Sequence, residues 1–211
     1  MRKRILTIVS AAVISVMLLT GCSGDFKSSS IVNAAKKNGM QQMTSEELKK
    51  RFEGESYSAD EPYENSKEPP AYYVANDSEE ATYIQKTYLS TDSNNAVFVK
   101  ELVIFGGDEC IEGFLMVAGN EDDATRLYNE WGGNFDGYDN VKTAGARRGM
   151  TYTTGHYSSD TNMYRTSYYG VYLKGRSVLV ISYGSDTAEE RNKLESFCKN
   201  LGVISPLTEE K

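Results

Sequence analysis

From residue 71 onward the chain repeats one pattern three times: an apolar run, a polar capping residue, then apolar positions spaced three or four apart. Ala71 to Ala75 leads to Asp77 with Glu80 three later, followed by Ala81, Ile84 and Tyr88 on one helical face. Phe114 to Ala118 leads to Asn120 with Asp123, then Ala124, Leu127, Tyr128 and Trp131. Val178 to Ile181 leads to Asp186 with Glu189, then Leu194, Phe197, Cys198 and Leu201. Short apolar runs predict strands, and the longer spacing predicts amphipathic helices that lie on them. The equivalent positions Ala81 and Ala124 of the first two units are 43 residues apart, while the third unit follows only after extra strands, so the spacing is too uneven for a solenoid.

The intervening segments complete the layout. Ala96 to Phe105 and Cys110 to Ala118, joined by Gly106-Gly107-Asp108-Glu109, read as a hairpin. With Arg148 to Tyr157 as a strand, residues 71–157 run β-α-β-β-α-β, the ferredoxin-like order. A hairpin of Tyr164 to Lys174 and Ser177 to Tyr183, turning at Gly175-Arg176, precedes the last helix. The expected class is therefore α+β: a single, largely antiparallel sheet with helices packed on one face, a ferredoxin-like core and a C-terminal hairpin and helix. This layout resembles photosystem-accessory α+β folds, which also finish on a hairpin and a helix. Upstream, Ile31 to Met40 predicts a short helix ending near Gly39, and Thr44-Ser45-Glu46-Glu47 is a capping box flanked by Met43 and Leu48 at staple positions. That second helix should dock by Leu48 and Phe52. Glu53 to Pro70 is polar and reads as a surface connection, and Gly132 to Gly145 as a long irregular loop of the kind that is functional or mobile.

The start of the chain follows a different grammar. Met1-Arg2-Lys3-Arg4 precedes fifteen uncharged residues, Ile5 to Leu19, and then Leu19-Thr20-Gly21-Cys22. This is the three-part layout of a signal peptide, and the apolar run is short for a spanning helix, which needs about 20 residues. Leu19-Thr20-Gly21-Cys22 resembles the lipobox of bacterial lipoproteins. The resemblance covers residues 1–22. It implies a diacylglyceryl group on the Cys22 sulfur, cleavage before Cys22, a fatty acyl chain such as palmitate on the new amino terminus, and location at the extracytoplasmic face of the cell membrane. Two or more acyl chains hold stably where one holds marginally. The chain then divides into a signal peptide, 1–21; the lipidated cysteine and a Ser/Gly tether, 22–30; N-terminal helices and a polar connection, 31–70; the α+β domain, 71–205; and a tail, 206–211.

Removing the leader takes away Arg2, Lys3 and Arg4, so about 20 cations face 30 acids and the formal charge falls to about −10. Such a balance argues against nucleic acid as a partner and against a second, electrostatic contact with the membrane. Beyond Cys22 the only cysteines are Cys110 and Cys198. One disulfide or two separate buried thiols both fit, with Cys198 on the apolar side of its helix.

Catalytic patterns are sparse. There is no phosphate-binding glycine loop, no paired-cysteine metal motif and no Gly-x-Ser-x-Gly elbow, and the single histidine, His156, rules out any site needing two imidazoles. The acidic runs Glu121-Asp122-Asp123 and Asp136 to Asn140 do not reproduce a calcium loop. No catalytic residue, metal or cofactor is assigned. The clearest excess is tyrosine, 15 in all. Strand alternation puts Tyr152 on a face with His156, and Tyr164 on a face with Tyr168 and Tyr172, while Tyr169 joins Val171 and Leu173 opposite. With Arg147, Arg148 and Arg165 nearby, an exposed face of Tyr152, His156, Tyr164, Tyr168 and Tyr172 is the candidate surface for a protein or glycan partner. The expected function is a non-enzymatic envelope lipoprotein that binds such a partner. The alternatives are a wall-polymer or peptide hydrolase using His156 or the pair Asp136 and Asp139, and a structural accessory subunit of a membrane complex.

If Cys22 carries the anchor, Cys22→Ala abolishes acylation. Cell fractionation should then find the protein unprocessed or released, whereas an unchanged membrane fraction contradicts the lipobox reading.

Overall fold

The computed structural model describes residues 24–54, 69–89, 97–107, 111–133, 141–158, 166–185 and 187–207. In chain order the elements are α1 Ser28–Lys37, β1 Gln41–Gln42, α2 Ser45–Gly54, β2 Ala71–Ala75, and α3 Ser78–Ile84, which runs on into a π-helical turn, Gln85–Leu89. They continue with β3 Val99–Gly106, β4 Glu112–Ala118, α4 Glu121–Gly133, β5 Val141–Arg147, β6 Met150–Ser158, β7 Thr166–Lys174, β8 Ser177–Ser185 and α5 Ala188–Leu201. All eight strands form one sheet in the order β1-β2-β3-β4-β8-β7-β6-β5. Only the two-residue β1 is parallel to its neighbour. The class is α+β with a single, mostly antiparallel sheet.

Two features differ from the sequence-based expectation. Helices cover both faces, giving three layers. On one face α1 and α5 bury Ile31, Ala34, Ala35, Leu194 and Phe197 against Val103, Phe105, Leu115, Leu179 and Ile181. On the other, α2, α3 and α4 bury Leu48, Ala81, Ile84, Ala124 and Leu127 against Leu102, Ile104, Phe114, Met116 and Val180. Successive side chains of a strand point to opposite faces, so a central strand that is apolar at every position must be covered twice. The strand order is also not ferredoxin-like. β2, β3 and β4 lie side by side in chain order, and the strand after α4, β5, sits at the opposite edge. From there β5, β6, β7 and β8 return as antiparallel neighbours until β8 docks on β4. Tight hairpins join β5 to β6 and β7 to β8, because antiparallel strands need only a short turn between them. Arg148 and Gly149 supply one turn, both with positive φ (53° and 70°). Gly175 begins the other with φ 56°.

Most local signals hold. Asp77 accepts hydrogen bonds from the Glu79 and Glu80 amides at 2.9 and 3.0 Å, and Asn120 accepts one from Asp123 N–H at 2.8 Å. The Thr44–Glu47 box caps α2, Met43 and Leu48 are buried, and Phe52 stacks on Tyr88 with centroids 4.5 Å apart. The last helix is capped one residue later than expected, by Thr187 with Glu190. Part of the expected 132–145 loop is a strand: β5 pairs with β6 over its whole length, with the Tyr152 ring laid across Gly145. Asp136 and Asp139 of that segment lie outside the described residues.

The domain boundaries shift most at the N-terminus. Residues 25–30 are not a tether. Asp25 accepts hydrogen bonds from the Arg176 backbone N–H at 2.6 Å and from its guanidinium Nε and Nη2 at 3.1 and 2.6 Å. The Phe26 N–H donates to Ser177 Oγ at 2.8 Å, and the Phe26 side chain is buried. Ser28 opens α1 and donates to Glu101 at 2.6 Å. Residues 31–54 are likewise part of the same body, since α1 and α2 each supply core residues. At the other end Pro206 and Leu207 pack on the domain rather than forming a free tail.

Gly113 on β4 faces Ile181 so closely that a Cβ there would overlap the Val180 carbonyl oxygen, a backbone atom that cannot step aside. Gly113→Ala is expected to cost about 1–3 kcal/mol. Thermal unfolding should show a midpoint lower by about 2–4 °C per kcal/mol, and an unchanged midpoint would contradict this packing.

Candidate functional site

Register decides which of the candidate residues meet. Tyr152 lies opposite Tyr172, and His156 opposite Tyr168, across the β6–β7 ladder. Tyr168 and Tyr172 belong with the face covered by α1 and α5, while Val171 and Leu173 point to the other, as alternation required. Solvent access is where the expectation fails. Tyr172 is fully buried and Tyr152 is 8% exposed, so neither belongs to an exposed tyrosine row. The cause is α5 and the segment after it. Gly202, with φ 70°, ends the helix in the left-handed region. The chain then folds back so that the Ile204 carbonyl accepts the Tyr172 hydroxyl at 2.5 Å. Val203, Ser205 and Pro206 are buried on the way.

Cys198 is buried beside this hydroxyl and unpaired with another sulfur. Burial pushes its thiol from 9.0 up to about 12, partly offset by polar contacts with the Tyr172 and Ser205 side chains. Burial, followed by the nearby thiol, also raises the Tyr172 phenol well above its usual value. A thiolate is the reactive form of cysteine, so this thiol is chemically quiet. Cys110 lies outside the described residues.

A groove of about 460 Å³ lies at one end of this face. β6 and β7 contribute His156, Thr166 and Tyr168 to it; α5 contributes Ala188, Arg191, Asn192 and Glu195; and Pro206 and Leu207 close the side. The His156 and Tyr168 rings sit 5.7 Å apart at 44°. Arg191 and Glu195 are one helical turn apart and both are exposed, so the groove offers a cation, an anion, an amide, an imidazole and an aromatic edge within one concavity. That set suits a polar ligand with an apolar portion. Among the described residues, no hydrogen bond joins His156 to a hydroxyl, thiol or carboxylate. Nor does any cluster of three or more His, Cys, Asp or Glu there suit a metal ion.

The structure therefore keeps His156 and Tyr168 from the sequence-based set. Arg147 is exposed but pairs with Met150, six residues along β6 from His156, or about 20 Å away at the usual rise. Tyr164, Arg165 and Cys22 lie outside the described residues. Sequence reasoning missed Arg191, Asn192 and Glu195, which read only as the wet side of an amphipathic helix. It also missed Leu207, which read as tail.

The buried thiol gives a signed pH dependence. In the fold Cys198 keeps its proton up to about 12, whereas an unfolded thiol loses it near 9.0. The associated stability is fully present below the unfolded value and is lost as pH climbs toward the folded one. Denaturant midpoints should fall as pH rises above 9, less so in Cys198→Ala, and maleimide at about pH 8 should leave native Cys198 unmodified. No family model, curated protein or solved structure matches the chain.

Proposed function

We propose that the protein is a lipid-anchored lipoprotein of the extracytoplasmic membrane face that binds a protein or glycan partner without altering it chemically. The contact site is the groove of His156, Tyr168, Arg191, Asn192 and Glu195. The observation that carries this reading is the placement of the groove relative to the N-terminus. β7 begins at Thr166, in the groove, and ends at Lys174, beside the turn that holds Asp25. Eight residues of strand separate them, about 27 Å. A chain anchored through Cys22 would thus present its groove at the end remote from the lipid. No helix among the described residues is long and apolar enough to cross a membrane.

A second reading, an envelope hydrolase, draws on the meeting of His156 and Glu195 in one groove. It lacks a partner for the imidazole: no nucleophile is hydrogen-bonded to His156 among the described residues, and the Cys198 thiol is buried and protonated. General base catalysis needs the proton to be abstracted within about 2.6–3.2 Å.

A photo-crosslinking residue placed at Asn192 in the acylated protein in cells should give a discrete adduct that Arg191→Ala weakens. The same residue at Arg126, exposed on α4, should give none. Equal adducts at both positions would contradict the groove as the binding site. Turnover of wall polymer or peptide that disappears in His156→Ala would establish the hydrolase instead.

A further inference from the structure

The Asp25 joint fixes more than the position of the N-terminus. Cys22 stands three residues before Asp25, and three residues reach at most about 11 Å even when fully extended. Asp25 itself is clamped to Arg176 in the β7–β8 turn. Whatever is attached to Cys22 is therefore confined to one end of the sheet.

Register shows what else lies at that end. Thr151 pairs with Leu173, so the β5–β6 turn carrying Arg147 and Arg148 stands level with Lys174 and the β7–β8 turn. The two turns are separated by two or three strand spacings, about 10–14 Å. Lys27 is exposed at the start of α1, and Lys174 holds its Nζ 5.6 Å from the Phe26 ring centroid. Val117 pairs with Ser177 and Val99 with Ala118. Phe98, just before β3, therefore belongs to the same end, where it is 50% exposed and lies against Gly119. Acids are present too, but Asp25 is taken by Arg176 and Glu101 accepts Ser28 Oγ. Glu79, Glu121 and Asp122 open α3 and α4 at this same end, where β2 and β4 finish beside Phe98, so the β2–β4 side of it is acidic and the β5–β8 side basic.

We infer that this end of the sheet is a lipid-contacting surface. On its β5–β8 side Arg147, Arg148, Lys27 and Lys174 meet the phosphates of anionic phospholipid headgroups, the acidic starts of α3 and α4 lie away from them toward β2, and the groove of His156 and Arg191 points outward. The inference rests on acylation at Cys22. The net charge of the whole chain argued against such a contact, but each cation near an anionic leaflet is attracted locally, and the field fades within a Debye length. With so little slack before Asp25, these side chains cannot leave that layer without lifting the acyl chains or undocking α1.

The test uses the acylated protein in vesicles of phosphatidylcholine with about one third phosphatidylglycerol, some headgroups carrying a nitroxide quencher. A fluorophore is placed at Arg148→Cys or at Ala188→Cys in a Cys110→Ser background; Cys22 is blocked by its lipid and Cys198 by burial. Emission at 148 should be quenched and emission at 188 should not. A flexible Gly/Ser insertion between Ser23 and Gly24 should remove the difference. Equal quenching at both positions, or stronger quenching at 188, in protein that still sediments with the vesicles overturns the inference while leaving the anchor standing. A mass showing no lipid on Cys22 overturns both.

Discussion

The point at which the chain enters the domain depends on the grip of one carboxylate on one turn. Asp25 takes three hydrogen bonds from Arg176 and thereby ties the first described residues to the hairpin between β7 and β8. The ion pair is partly exposed, Arg176 at 42% and Asp25 at 23%, and such pairs add little stability, about 0–1 kcal/mol. The energy of attachment comes from α1, just downstream. Ile31, Ala34 and Ala35 are buried under it, and full burial of an isoleucine side chain alone is worth about 1.5–3 kcal/mol. Apolar burial holds α1 down, whereas the directional hydrogen bonds of Asp25 decide where the preceding chain emerges. Because that point lies at one end of β7 and the groove at the other, a chain anchored through Cys22, as proposed, would have its facing set by this modest ion pair.

The two-sided sheet explains why the tyrosines went inward. α5 and the reversal at Gly202 cover β7 and β8, leaving Tyr172 to donate its hydroxyl to Ile204 and Cys198 to share the same pocket. A buried hydroxyl must find such an acceptor or cost free energy. Where α5 begins, at Ala188 and Arg191, the cover thins, and there His156 and Tyr168 remain half-exposed. Among the described residues, the groove is thus the open end of a face on which Tyr152 and Tyr172 are buried.

Much of this was legible in the chain. The capping residues Thr44, Asp77 and Asn120 marked helix starts because a side-chain oxygen there satisfies an otherwise unpaired amide. The alternation of Tyr168, Tyr169, Val171 and Tyr172 placed each on its correct face. The second helical layer was also written, in the unbroken apolar runs Phe114 to Ala118 and Val178 to Ile181, which a half-wet sheet would not carry. β5 was not legible. Val141 to Arg147 has no apolar alternation and contains Gly145, so only its hairpin partner identifies it. Ser28, Ser29 and Ser30 read as tether by composition, yet they form the first turn of α1, because the apolar positions that stabilise it come later, at Ile31, Ala34 and Ala35. The groove residues on α5 gave no signal, since polar residues on a wet helix face are ordinary.

Amide hydrogen exchange on the mature chain tests the central claim most directly, at Phe26, Ile31 and Arg176. The Phe26 N–H is bonded to Ser177 Oγ, the Ile31 N–H to the Lys27 carbonyl and the Arg176 N–H to the Asp25 carboxylate. If Asp25 and α1 are welded to the β7–β8 turn, all three amides exchange far more slowly than an unstructured peptide, and Asp25→Ala speeds Arg176 and Phe26 together. Exchange at unstructured rates for Phe26 and Ile31, with β8 still protected, would mean that the N-terminal segment is a tether after all and that the orientation of the domain is not fixed by it.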